Sequence, residues 1–87
     1  MRFSARVEVQ LRSGIADPEG TTIERALPAL GFDEVRHVRA GRSFRFELDA
    51  PDEPSARVRA EELAQRLLAN PVIEESHLEL VPKDDGR

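Results

Sequence analysis

Between Leu67 and Glu74 the chain reads Leu-Leu-Ala-Asn-Pro-Val-Ile-Glu, and the Asn70-Pro71 pair at its centre separates two patterns of different period. Upstream, Ala60, Leu63, Ala64, Leu67 and Leu68 recur at helical spacing. Downstream, Val72 and Ile73 lead into Leu78 and Leu80, which alternate with His77 and Glu79 as in a strand. Proline lacks a backbone donor, crowds the preceding turn and turns the residue before it away from helical backbone, so the helix has to stop at Asn70. A helix feeding a strand through so short a stop must pack back against the sheet that strand joins. Such a chain is a layered α+β domain.

The other segments supply the rest of that sheet. From Arg2 to Arg12 the chain alternates strictly, Phe3, Ala5, Val7, Val9 and Leu11 on one face and Arg2, Ser4, Arg6, Glu8, Gln10 and Arg12 on the other, which is a half-buried strand. Asp17-Pro18-Glu19-Gly20 offers an N-cap followed by proline at the first helical position, where its missing N–H costs nothing, with a competing start at Thr21, three residues before Glu24. Ile23, Ala26, Leu27 and Leu30 then form one helical face, and Gly31 ends it. Pro28 falls inside this helix, so a kink or a loosened last turn is expected there.

Phe32–Arg39 reads as a second strand with a bulge, Ala40-Gly41-Arg42 as a turn, and Phe44, Phe46 and Leu48 as the core face of a third strand paired with the second in a hairpin. Pro51 and Pro54 flank acids that can cap the next helix, on which Glu62 and Arg66 form an i,i+4 pair. The expected order is β-α-β-β-α-β: a four-stranded, mostly antiparallel sheet with two helices on one face. Residues 1–81 make a single domain and 82–87 a flexible tail.

Eighty-seven residues bury one shallow core, so the chain is expected to bind, bridge or regulate, and oligomerisation would relieve the shortage of burial. A net charge of −4, with 34% charged residues of both signs, disfavours duplex nucleic acid and fits a solvated surface. No apolar run approaches a membrane span, and Met1-Arg2-Phe3-Ser4 leads straight into a strand pattern, so neither a membrane nor a signal peptide is expected and a cytoplasmic location is. With no Cys, thiolate metal sites and a cysteine nucleophile are excluded; no Gly-rich phosphate loop of the G-x-x-x-x-G-K-[ST] kind occurs; His37 and His77 show no ligand spacing. No catalytic, cofactor-binding or metal residue is therefore assigned.

Four separated motifs carry a resemblance that spans nearly the whole chain: Asp17-Pro18-Glu19-Gly20, Leu30-Gly31-Phe32, Val38-Arg39-Ala40-Gly41-Arg42, and Leu67 through Glu74. In order and spacing they resemble the PurS family, the small accessory subunit of phosphoribosylformylglycinamidine synthase, with Pro28 as the main departure. The resemblance implies a role in de novo purine biosynthesis, in the ATP- and glutamine-dependent conversion of formylglycinamide ribonucleotide to formylglycinamidine ribonucleotide. It further implies a glutaminase subunit and a larger synthetase subunit as partners, self-association as a dimer or tetramer, a part in ammonia transfer, and no cofactor bound by this chain, since ATP and Mg are used by the synthetase.

Arg39, Gly41, Arg42 and Asn70 are the candidate subunit contacts; Asp17, Pro18, Gly20, Gly31 and Pro71 are the structural positions of the motifs. Two guanidinium groups beside a glycine can hold a phosphate or a partner carboxylate, against the plainer reading of a solvated hairpin. Two other functions fit the element order: a ferredoxin-like module binding a small regulatory molecule, and a single-stranded RNA binder using Phe44-Arg45-Phe46. The latter is weakened because both phenylalanines are needed in the core.

Overall fold

A computed structural model describes residues 1–83. Strand β1 (Arg2–Leu11) lies at the centre of a three-stranded antiparallel sheet, between β2 (Gly41–Asp49) and β3 (Glu74–Lys83). Arg2 pairs with Asp49 on one side and Lys83 on the other, and Gln10 with Gly41 and Glu75. Both neighbours therefore follow the alternation of β1: Phe3, Ala5, Val7 and Val9 are buried, and the helical layer above them is α2 (Glu53–Leu63). Asp52 caps α2, its carboxylate accepting Ser55 N at 2.8 Å, and Ala56, Ala60 and Ala64 face the sheet. Three small residues at that spacing let the helix approach closely, while Phe3, Val7 and Val9 fill the space from below.

The opposite face of the sheet carries charge arranged in cross-strand pairs. Arg2 meets Asp49 at 3.1 Å, Arg6 meets Glu79 at 2.8 Å, and Lys83 meets Glu47. At these exposures each pair stabilises by less than about 1 kcal/mol, and Arg6 also stands directly opposite Arg45, so the buried alternation of β1 rather than charge sets the register.

Three expectations are corrected. The segment Phe32–Arg39 is irregular rather than a strand, so the sheet has three strands where four were expected, and Ala40-Gly41-Arg42 opens β2 rather than turning a hairpin. The reason is competition for donors: Val38 N donates to Glu24 Oε1 at 3.0 Å and Ala40 N to Asp17 Oδ2 at 2.7 Å, while His37 sits at φ 59°, outside strand geometry. The helices do not cover the sheet equally either. α1 (Pro18–Ala26) runs into a 3-10 turn (Pro28–Leu30) with Gly20 as its buried residue, whereas α2 contacts all three strands. Finally, β3 runs on through Pro82 and Lys83, past the boundary expected at 81, and the rest of that tail, 84–87, lies outside the described residues.

The break at Pro28 is as expected. α1 stops at Ala26, the 3-10 turn takes over, and Gly31 at φ 92° ends it. At the end of α2 the regular bonding gives way to one π turn, Ala64–Leu68, closed by Ala69 N donating to Ala64 O at 2.8 Å. The extra residue in that turn rotates Leu67 away from the sheet, leaving it 75% exposed although its spacing placed it on the apolar stripe.

The result is thin and long. The extents are 51 × 33 × 15 Å and the radius of gyration is 16.7 Å, against about 12 Å for a compact chain of this length. The accessible surface of 6524 Å² likewise exceeds the roughly 5,200 Å² of a compact monomer of this mass.

Candidate functional site

The candidate contacts Arg39, Gly41, Arg42 and Asn70 gather at one end of the sheet, where β1 ends, β2 and β3 begin and the helical stretch stops, whereas Gly31 closes the 3-10 turn of the 13–40 excursion. Arg42, second residue of β2, points its Nη2 at the π turn and at β3 together: it donates to Leu68 O at 3.2 Å and lies 3.0 Å from both oxygens of Glu74. Its guanidinium also stands over the Phe44 ring, 5.4 Å from the centroid. Glu74 is the hub that sequence reasoning missed. Its side chain is only 15% exposed, and Oε1 accepts Asn70 N at 2.8 Å as well as Arg42. The Asn70 amide and the Arg42 guanidinium hold that carboxyl below its ordinary value of 4.5, against the opposing pull of desolvation.

Asn70 then makes the corner. Its Oδ1 accepts Val72 N at 3.1 Å and its carbonyl accepts Glu74 N at 2.7 Å, so the side chain mimics a backbone turn while Pro71 blocks any return to helix. Arg12, also missed, ties this corner to the end of β1 by donating from Nη2 to Pro71 O at 2.9 Å. The signal for both was present: Glu74 follows Asn70 by four residues, and Arg12 ends the alternation of β1.

Gly41 serves close approach rather than a turn. A Cβ there would stand 2.7 Å from Val9 O, across the β1–β2 ladder, and the positive φ values among glycines belong to Gly14 and Gly31. Arg39 and Arg42 are not a pair gripping one anion. Arg39 turns to the other side of the β1 end, donating to Leu11 O at 3.2 Å, Arg12 O at 3.3 Å and Ile15 O at 3.4 Å, with Nε 3.8 Å from Asp17. Asp17 itself is 7% exposed: Oδ1 accepts Gly20 N at 3.0 Å and Oδ2 accepts Ala40 N at 2.7 Å. These two amides, with Arg39 nearby, hold its carboxyl below the usual 3.8.

The arrangement ties the ends of β1, β2, β3 and the helical stretch together at one corner of the sheet. Arg39 and Arg42 donate to neighbouring carbonyls and a carboxylate, Asn70 accepts Val72 N through Oδ1, and each fixes one connection of the fold. Among the described residues no cluster of three or more His, Cys, Asp and Glu is placed to hold a metal ion. Phe44 and Phe46 pack against Val7, Val9 and Ala64 rather than standing free to stack on bases.

A family model described as PurS, phosphoribosylformylglycinamidine (FGAM) synthase, matches residues 4–82. The chain belongs to the PurS family. Among its relatives, phosphoribosylformylglycinamidine synthase subunit PurS of Synechocystis is 40% identical over 72 residues, covering 83% of this chain and 72% of that protein. The PurS of Methanocaldococcus jannaschii is 35% identical over 78 residues, covering 90% of this chain and 94% of that protein. Its crystal structure, of one of the subunits of formylglycinamide ribonucleotide amidotransferase in the purine biosynthetic pathway, superposes with a TM-score of 0.83 over 94% of this chain and 99% of that one, at 33% identity. A chain in the structure of PurLQS from Thermotoga maritima gives 0.85 at 33% identity, over 93% of this chain and 99% of that one. This chain is accordingly a PurS subunit of phosphoribosylformylglycinamidine synthase, an enzyme of purine biosynthesis.

Proposed function

We propose that this chain works as an assembly subunit: it bridges a glutaminase and a synthetase that convert formylglycinamide ribonucleotide, glutamine and ATP to formylglycinamidine ribonucleotide, and supports ammonia transfer between them. The observation that carries this is the likeness over almost all of both chains to a subunit of the Thermotoga maritima PurLQS structure. In this reading ATP and Mg belong to the synthetase, and the chain binds no cofactor. It acts in the cytoplasm, in keeping with the absence, among the described residues, of any helix long and apolar enough to cross a membrane.

The chain acts as a dimer or tetramer. Among the described residues seven apolar side chains are buried, three of them large, and roughly 1,300 Å² more surface is exposed than a compact monomer of this mass would show. That surplus exceeds the ~800 Å² per partner of an ordinary interface. Ile23, Leu30, Phe32 and Val35 lie exposed on the excursion between β1 and β2, apolar surface that self-association would cover.

Size-exclusion chromatography with light scattering on the three subunits, mixed with glutamine and ATP, tests the bridging role. A species containing all three is expected, absent when this chain is left out. A glutaminase–synthetase complex of the same stability without it would overturn the bridging role.

A further inference from the structure

The excursion 13–40 leaves the end of β1 and returns to the start of β2, so it is an arm rooted at one end of the sheet. Burial of apolar side chains does not set its direction: Gly20 is the buried residue of α1, and Ile23 is 44% exposed. Polar groups and one close approach do. Asp17 Oδ2 accepts Ala40 N at 2.7 Å and Glu24 Oε1 accepts Val38 N at 3.0 Å. Between them Gly20 lies so near the returning limb that a Cβ would stand 2.5 Å from Val38 O. Residues 17, 20 and 24 fall at i, i+3 and i+7, so a single face of α1 grips residues 38–40. Arg39 fastens the root to three carbonyls of residues 11, 12 and 15.

We propose that Asp17 and Gly20 are positioning residues for self-association: by clasping the returning limb they aim the arm so that Ile23, Leu30, Phe32 and Val35 meet a second copy of this chain. This rests on the dimer reading above. A second copy is the occupant because the surplus surface matches what a stable dimer buries and because interfaces between identical subunits are the more apolar kind. A rigid aim matters for such a contact, since an arm free to swing must lose that freedom on association.

Two variants of the full chain test the clasp by different routes. Asp17→Asn keeps one oxygen to cap α1 but presents an amide donor to the Ala40 N–H. Gly20→Ala keeps the Asp17 carboxylate but puts a methyl 2.5 Å from Val38 O and 2.6 Å from Asp17 Oδ2, so it forces both the limb and the carboxylate away from α1. Hydrogen exchange by NMR reports the limb, and sedimentation equilibrium reports the dimer dissociation constant. In both variants faster exchange at Val38 and Ala40 is expected, with β1 amides unchanged and a dissociation constant raised about tenfold, the scale of one lost hydrogen bond to a charged group. Unchanged β1 amides exclude general unfolding as the cause. Freed limb amides with a dissociation constant within about twofold of wild type would overturn the positioning role, and unchanged amides would overturn the clasp itself. A wild-type chain that stays monomeric would overturn the dimer reading and this inference with it; the wild type thus tests that reading and the variants test the clasp.

Discussion

Phe3 and Phe32 are the same side chain in opposite settings, and truncating each separates the core from the arm. Phe3 is fully buried between α2 and the sheet, whereas Phe32 is 49% exposed beyond the 3-10 turn. A buried phenylalanine removes about 150–250 Å² from water, worth ~4–6 kcal/mol at 25 cal/mol per Å², and measured Phe→Ala truncations in cores cost about 3–5 kcal/mol. A domain of this length has a total stability of roughly 4–13 kcal/mol. Phe3→Ala therefore removes about a quarter or more of it, because among the described residues only Val7 and Val9 remain as large fully buried side chains. Phe32→Ala is expected to cost the isolated chain no more than about 1 kcal/mol. Urea unfolding followed by circular dichroism, at a dilution where the chain is monomeric, measures both. Repeating it at high concentration adds the arm's contribution, so the loss in Phe32→Ala grows with concentration and that in Phe3→Ala does not. Equal losses at dilution would refute the division into a thin core and an unsupported arm.

Three further outcomes follow from single contacts. Gly41→Ala, with its Cβ 2.7 Å from Val9 O, is expected to splay the β1–β2 ladder at a cost of about 1–3 kcal/mol, seen as faster amide exchange at residues 41–43 than at β3. His37→Gly relieves a left-handed residue at φ 59° and is expected to raise stability by about 0.5–1 kcal/mol in thermal unfolding, since the relief of about 1–2 kcal/mol is partly offset by the freedom glycine adds to the unfolded chain. Asp17, Glu47, Asp52 and Glu74 all titrate below their ordinary 3.8 or 4.5 when folded, held by backbone amides or by Lys83, Arg42 and Ser55. Depressed carboxylates contribute stability that is fully present above the unfolded values and is lost as pH falls through the folded ones. The melting temperature is thus expected to hold near neutrality and to drop below about pH 4, and a rise on acidification would contradict these contacts.

What was legible in the sequence was whatever local chemistry decides. Asp17-Pro18 starts α1, Pro28 breaks it, Asp52 caps α2 and Asn70-Pro71 ends the helical stretch, each because a donor is missing or an oxygen is at hand. The alternation of β1 likewise gave the buried face correctly. What failed depended on partners distant in sequence: residues 32–39 look like a strand until Asp17 and Glu24 take the amides of Ala40 and Val38, 23 and 14 residues away. The π turn escaped notice because nothing in Ala64–Leu68 marks one extra residue per turn, and with it went the true place of Leu67. Arg42 and Asn70 were singled out and do share a corner, but Glu74, which joins them, could be recognised only once α2 and β3 were seen to meet beside β2.

Glutamine-dependent formation of formylglycinamidine ribonucleotide by the glutaminase and synthetase subunits, titrated with this chain, tests the account most directly. Turnover that rises with added chain and saturates at a fixed ratio is the predicted result, with no turnover from this chain alone. The same turnover at every concentration of added chain, including none, would contradict the role assigned to it.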